Sequence, residues 1–295
     1  MSWWSGLEDI CQLDAPLADL TWYRLGGPAR WLFTPTNEGQ LAEILRRCRD
    51  NDVPWRVLGR GANILVRDEG VDAAVIHLAG ASWEQVTWHA DGVTAVAGAE
   101  FPHLVKQAAE RGLAGLEPLA GIPGSVGGII RMNAGGRYGE ICEVLAHARV
   151  MDSAGEVSER SPEALGMAYR HTELAGCIVL GGTFRLHQED STTVMERFQR
   201  IWKEKHANQP AMSKRSSGCI FKNPATAPAG KLIDEADLKG TRSANGMAEI
   251  STVHANFIVA RAGARTQDVL DLIALAQRRV QEHAGVALEL EVEIW

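Results

Sequence analysis

Two short stretches concentrate glycine in a way that leaves this chain few ways to fold. Gly59-Arg60-Gly61-Ala62-Asn63-Ile64 follows an apolar run, Trp55 to Leu58, that reads as a short buried strand. Gly121-Ile122-Pro123-Gly124-Ser125-Val126-Gly127-Gly128 lies inside a turn-rich stretch from Leu119 to Gly139. Glycine accepts φ > 0 and lets successive N–H groups converge on an anion, so both loops can wrap a pyrophosphate. The first starts like a dinucleotide fingerprint, but Ile64 stands where the third glycine belongs. The second lacks the G-K-[ST] ending of a P-loop. A Rossmann unit and a P-loop are thus both weakly supported, and plain tight turns between strands remain the alternative.

Around these loops the pattern divides the 295 residues into three parts. In residues 1–80, Leu41, Ile44, Leu45 and Cys48 form the i, i+3, i+4, i+7 stripe of an amphipathic helix over 37–50. Strands are expected at Trp55–Leu58, Ile64–Val66 and Ala74–Ile76, making a small α/β unit. Residues 81–195 look antiparallel-rich. Asp91-Gly92 signals a hairpin within Val86–Ala97, and Ser153-Ala154-Gly155 a second one. A helix is expected from Phe101 to Gly112, and strands at Ile178–Leu180 and Thr183–Leu186. In residues 196–295 a helix covers 192–206 across the boundary. Another runs from Thr266, which can cap it, to His283, with Gly285 just past its end. Leu288 to Ile294 alternates strictly and predicts a strand, apolar on one face, with Glu289, Glu291 and Glu293 on the other.

Composition removes several functional classes. The formal net charge is −7, which disfavours nucleic acid and anionic membrane surfaces as partners. No run of 18 apolar residues predicts a transmembrane helix, and no basic-then-apolar start predicts a secretory signal. The five cysteines are odd in number and lack a C-x-x-C pair, against a disulfide framework and a zinc site. A reducing cytoplasm fits them best. The histidines lack i, i+4 pairing, so no metal is expected. Nothing marks an obligate protein partner.

Three places could carry chemistry. Cys219 follows Gly218 and lies near Lys214, Arg215 and Lys222, a field that suits a phosphorylated ligand and eases thiolate formation. The plain alternative is a small buried thiol. Tyr169-Arg170 precedes a buried strand, and an arginine there can clamp a carboxylate or a developing enolate. Three carboxylates about 6.6–7 Å apart along the last strand would raise at least one pKa where water is scarce. A solvent-facing polar edge is the alternative, and the favoured one for the residues alone.

In order along the chain, several motifs together resemble one family, the UDP-N-acetylenolpyruvoylglucosamine reductases (MurB). They are Thr21-Trp22-Tyr23-Arg24-Leu25-Gly26-Gly27-Pro28-Ala29, Leu58 to Val66, and Gly115-Leu116-Glu117 through Gly128 with Met132-Asn133-Ala134-Gly135. Later come Gly218-Cys219-Ile220-Phe221-Lys222-Asn223-Pro224, Ala229 to Asp234 and His254-Ala255-Asn256-Phe257. The short spacing from Arg170 to Cys219 resembles the shorter, type II form.

The resemblance implies an α+β chain: an FAD-binding fold of the vanillyl-alcohol-oxidase (PCMH) type in two subdomains, 1–80 and 81–195, plus a C-terminal α/β substrate-binding domain, 196–295. It leaves room for the last strand to return to the FAD-binding part. It implies NADPH-dependent reduction of UDP-N-acetyl-3-O-(1-carboxyvinyl)-glucosamine to UDP-N-acetylmuramate, a step of peptidoglycan synthesis, with FAD as cofactor. Arg170, Cys219 and Glu291 fall on the family's catalytic positions, Cys219 where the proton donor is often serine. Cofactor contacts fall on Leu58, Gly59, Gly61, Ala62, Asn63 and Leu65 in the first loop. In the second they fall on Gly121, Ile122, Pro123, Gly124, Ser125 and Gly128, with Asn133. Substrate contacts fall on Tyr169, Arg215, Lys222 and Asn223. Ala62, Gly136-Arg137-Tyr138, Thr172 and Glu293 depart from the commonest pattern. Two other readings stay open: a flavin oxidase of the same superfamily, and a UDP-sugar-binding paralogue without redox activity.

Overall fold

The computed structural model describes residues 2–295. The chain is mixed α+β and divides into two compact units, neither contiguous in sequence. Unit 1 holds the described residues of Met1–Asp14 with Arg30–Arg60 and Asp72–Glu204; unit 2 holds Ala15–Ala29, Gly61–Val71 and Lys205–Trp295.

In unit 1 a four-stranded sheet has the order Cys11–Pro16, Pro28–Phe33, Val71–His77, Trp55–Leu58. Its last pair is parallel, with Leu58 opposite His77. The helix Glu38–Asp50 is capped by Asn37, whose Oδ1 accepts the Gln40 N–H at 2.9 Å. The helix buries Leu41, Ile44, Leu45 and Cys48 against Phe33, Ala74 and Ile76. A second, antiparallel sheet has the order Val157–Arg160, Leu145–Asp152, Cys177–Arg185, Gly92–Val96, Val86–His89. The helix Phe101–Glu110 packs Phe101, Leu104 and Val105 into a core with Val93, Ala95 and Phe184.

Several expectations in unit 1 shift. The first hairpin turns at Ala90-Asp91, because His89 pairs with Gly92. Gly92 serves packing instead: a Cβ there would lie 2.2 Å from the Phe184 carbonyl oxygen. The two strands expected at 178–186 are one, Cys177–Arg185, since Gly181 and Gly182 stay in the ladder opposite Val96 and Ala95. The turn-rich stretch contains a helix, Val126–Arg131, despite two glycines of poor propensity. Tertiary contact overrides propensity here. The Gly127 N–H donates to the Ala97 oxygen at 2.8 Å, and a Cβ on Gly127 would come within 2.9 Å of Ala97 Cβ.

Unit 2 is built on the helix Thr266–Ala284, which buries Val269, Leu272, Ile273, Ala276 and Val280. These pack with Leu232 and Ile233 of the helix Ala229–Glu235, and with Ile250 and Ile258 of an antiparallel strand pair, Ala248–Ile250 and Ile258–Ala260. Gly285 ends the long helix at φ 68. Thr266 does not cap it. Its Oγ1 donates to the Val66 oxygen at 2.6 Å, while Asp68 accepts the N–H groups of Thr266 (3.0 Å) and Gln267 (3.3 Å). Asp68→Ala is therefore expected to cost about 1–2 kcal/mol, the range for a lost N-terminal cap, measurable by denaturant unfolding.

The alternating C-terminal segment is not one strand. Leu290 makes a single bridge to Phe221, and only Glu293–Ile294 form a strand, parallel to Ile64–Leu65. The segment changes partner midway. Lys222 donates to the Glu289 oxygen and Glu291 to the Ile220 oxygen, whereas Glu293 donates to Asn63 and Trp295 to Leu65. The three carboxylates consequently do not share one strand face: Glu289 and Glu293 are exposed, Glu291 half-buried.

Among the described residues, no helix is long and apolar enough to cross a membrane, and no group of three or more His, Cys, Asp or Glu could hold a metal ion.

Candidate active site

In unit 1 the end of the strand Trp55–Leu58 abuts the second glycine loop. A Cβ on Gly59 would stand 2.3 Å from Ser125 Oγ, so only glycine lets the two turns touch. Ser125 caps the short helix, its Oγ accepting the Gly128 N–H at 3.4 Å. Gly121 (φ 76) and Gly124 (φ 134) take conformations that other residues rarely adopt. Leu58 is 0% exposed and can offer a ligand only main chain. Ile122 and Pro123 are half-buried. Burial holds His77 below the ordinary imidazole range, against a hydrogen bond to the Gly59 main chain. A wall of main chain with side chains excluded fits a dinucleotide pyrophosphate, whose oxygens need close N–H donors.

Arg170 also belongs to unit 1. Tyr169 and Arg170 form the corner of a two-residue turn, in which Ala168 and His171 exchange both main-chain hydrogen bonds at 3.0 Å. Arg170 sits at φ 52, rare for a residue with a Cβ. Its side chain is only 11% exposed. Nη2 donates to the Gly135 oxygen at 2.6 Å, Nη1 to the Asn133 oxygen at 3.5 Å, and Nη1 lies 3.7 Å from Glu140 Oε1. The guanidinium also stacks over the exposed Tyr169 ring, 4.9 Å from its centroid. Asn133, expected at the cofactor, is 0% exposed. Its Nδ2 donates to Glu140 Oε2 and to the Ala168 oxygen, both at 2.9 Å, and its Oδ1 accepts the Cys142 N–H. Its amide is spent supporting the arginine's surroundings.

The segments that carry Cys219 and Glu291 are joined in unit 2. The segment 219–222 is held on both sides. On one side Ile220 donates to the Asn256 oxygen, while the Asn256 side chain accepts the Phe221 N–H (2.9 Å) and donates to the Phe221 oxygen (2.7 Å). On the other, Ile220 accepts from Glu291 at 2.8 Å. The residue after the thiol is thus tied directly to the glutamate. Gly218 adopts φ 79, and a Cβ on it would meet nothing within 4 Å.

The second half of the first glycine loop belongs to the same unit. Gly61 has φ 61, and a Cβ there would strike the Leu20 oxygen at 2.2 Å. Asn63 Nδ2 donates to the Glu291 oxygen at 2.9 Å, so a residue expected at the cofactor also fixes the glutamate. Ala62 is half-buried, and Leu65 lies wholly in the core. Among the substrate candidates, Lys222 is ion-paired with Glu289, which trims the positive field read from the sequence. The Arg215 oxygen accepts the Ala260 N–H. Asn223 is exposed, and its Oδ1 accepts the Ala229 N–H at 2.9 Å where the helix Ala229–Glu235 begins.

Three supporting residues had no role in the sequence reading. Asn256 had a signal, since it lies in a recognised motif, yet nothing local says that its amide clamps a strand 35 residues away. Glu140 had none beyond its place after a turn. Tyr23 is similar: it is fully buried, its hydroxyl donates to the Ile258 oxygen at 2.9 Å, and burial pushes the phenol well above its ordinary range.

A UDP-N-acetylenolpyruvoylglucosamine reductase of Methylorubrum extorquens is 40% identical over 280 residues, covering 94% of this chain and 89% of that protein. The chain belongs to the UDP-N-acetylenolpyruvoylglucosamine reductase family. A Clostridium perfringens protein of the same name is 37% identical over 289 residues, 97% of this chain and 93% of its own. The crystal structure of the MurB enzyme from Thermus caldophilus superposes with a TM-score of 0.82 at 41% identity, covering 97% of this chain and 98% of that one. The family model for the reductase's C-terminal domain matches residues 209–295, and one for an FAD binding domain matches residues 29–161. The MurB fold is therefore the fold of this chain.

Proposed function

We propose that this chain is the flavin-dependent reductase that converts UDP-N-acetyl-3-O-(1-carboxyvinyl)-glucosamine to UDP-N-acetylmuramate in the cytoplasm, as a step in peptidoglycan precursor synthesis. The observation that carries the reading is the main-chain hydrogen bond from Glu291 to Ile220, which ties the glutamate to the residue after Cys219, in a chain whose relatives carry this reductase name. The main chain of Leu58, Gly59 and residues 121–125, with Gly61, Ala62 and Gly128, would hold FAD. FAD held there would supply the hydride, drawn from NADPH, that goes to C3 of the enolpyruvyl group.

The protein's own groups handle charge and proton. Arg170 holds the substrate carboxylate and stabilises negative charge as it builds there, through charge-assisted hydrogen bonds. Glu291 assists it. Cys219 gives a proton to C2, so the alkene gains one hydride and one proton and becomes the lactyl ether. Tyr169, Arg215, Lys222 and Asn223 bind the UDP-sugar. Apart from Tyr169 and Arg170, residues up to 195 serve the cofactor and 196–295 the substrate, with the last strand returning to the first glycine loop.

Sustained NADPH oxidation is expected only when the enolpyruvyl UDP-sugar is present, with the yellow cofactor leaving on denaturation. Steady oxygen consumption with an alcohol, or flavin that stays attached after denaturation, would overturn the reading in favour of an oxidase.

A further inference from the structure

We propose that Glu140 is a positioning residue for Arg170, an inference that rests on the role just assigned to the arginine. Arg170 carries a long side chain on a tight-turn corner, and beyond its stacking on the exposed Tyr169 ring the guanidinium needs a constraint on where it points. The hairpin Gly135–Gly136 and Gly139–Glu140 supplies that constraint. Gly135 and Glu140 pair directly across it, and a Cβ on Gly135 would lie 2.7 Å from Glu140 Cα. One rung of one hairpin therefore presents both the carbonyl that accepts from Nη2 and the carboxylate beside Nη1.

The carboxylate is itself anchored. Its Oε2 accepts the Asn133 amide at 2.9 Å, and the Glu140 side chain caps the following turn by accepting the Glu143 N–H, while Glu143 reciprocates to the Glu140 N–H at 3.0 Å. Asn133 is locked at φ 41 by its bonds to Ala168 and Cys142. A charge tied by hydrogen bonds to Asn133 and to the Glu143 main chain cannot follow a drifting partner, so it orients the guanidinium rather than merely neutralising it. Misplacement by about 1 Å can cost on the order of 10²-fold in rate, so even a partial loss of this hold is readable in turnover.

The test uses the flavin-loaded enzyme and two readouts: the rate at which NADPH bleaches the flavin, and turnover of the enolpyruvyl UDP-sugar. Glu140→Ala is expected to lower kcat about 20-fold and to leave bleaching within about 2-fold. Glu140→Gln, which keeps an acceptor for Asn133, should recover to within about 3-fold of the unaltered enzyme. Glu140→Ala/Arg170→Ala should turn over no more slowly than Arg170→Ala alone, because a residue acting through another adds nothing once the other is gone. Turnover unaffected by Glu140→Ala, bleaching that slows in parallel with it, or losses that multiply in the double variant would each overturn the proposal. Should the alanine variant fail to hold flavin, Glu140→Asp carries the test, with about a 5-fold fall in kcat at unchanged bleaching expected and no fall overturning it. If Arg170→Ala turns over normally, the role of the arginine falls and this inference with it. If Arg170→Ala is slow while Glu140→Ala is normal, only this inference falls.

Discussion

Replacing Cys219 by alanine leaves NADPH able to bleach the bound flavin but slows turnover of the enolpyruvyl UDP-sugar by about 10²-fold or more. The separation of the two half-reactions follows from where the residue acts. A proton donor to C2 matters only once the alkene is being reduced. A thiol ordinarily titrates near 8.5, far below an alcohol, so cysteine is a chemically sensible acid at this position. The ladder around it supplies geometry: with Ile220 bonded to Asn256 on one side and Glu291 on the other, the sulfur has little backbone freedom to spend. Cys219→Ser should keep measurable activity, since a hydroxyl can occupy the same place and deliver a proton less readily. Stopped-flow reduction and steady-state turnover distinguish the outcomes. Loss of flavin reduction in Cys219→Ala removes the residue from the proton-donor role, and a dead but correctly folded serine variant does the same.

Much of the fold was legible because its signals are local. The stripe at 41, 44, 45 and 48, the face 269–280 and the glycine at 285 each report a helix through its own neighbours in sequence. The misread places are those where a distant residue decides. Asp68 caps a helix that starts nearly 200 residues later, so Thr266 was the visible candidate and the wrong one. Glu289 to Trp295 alternates like a strand, yet its partner changes from 220–222 to 63–65 within seven residues. Local periodicity cannot register that. A cut drawn along the sequence likewise has no way to show that residues 15–29 and 61–71 pack with 205–295. At the proposed site, Arg170, Cys219 and Glu291 could be named from the motifs that carry the family resemblance. The groups that aim them, Glu140 and Asn256, use ordinary hydrogen bonds that any carboxylate or amide can make.

Asn256→Ala should destabilise the protein by about 2–4 kcal/mol, because it leaves two main-chain groups of Phe221 without their partners where water cannot replace them. Phe221 is 1% exposed and Asn256 2%. The asparagine amide imitates one rung of a β-ladder, accepting from the Phe221 N–H and donating to its oxygen, and alanine supplies neither. Asn256→Asp separates the two bonds. Its carboxylate can still accept the N–H but faces the Phe221 oxygen with a second oxygen, so it should recover little of the loss. Denaturant unfolding measures both, and an alanine variant within about 0.5 kcal/mol of the unaltered protein would mean that the clamp is not what holds this segment. The consequence extends to chemistry, because the clamped residues directly follow the thiol. At a temperature where the variant remains folded, turnover of the enolpyruvyl UDP-sugar should fall while flavin bleaching by NADPH persists, the same split that removing the sulfur produces, reached by loosening the strand that carries it.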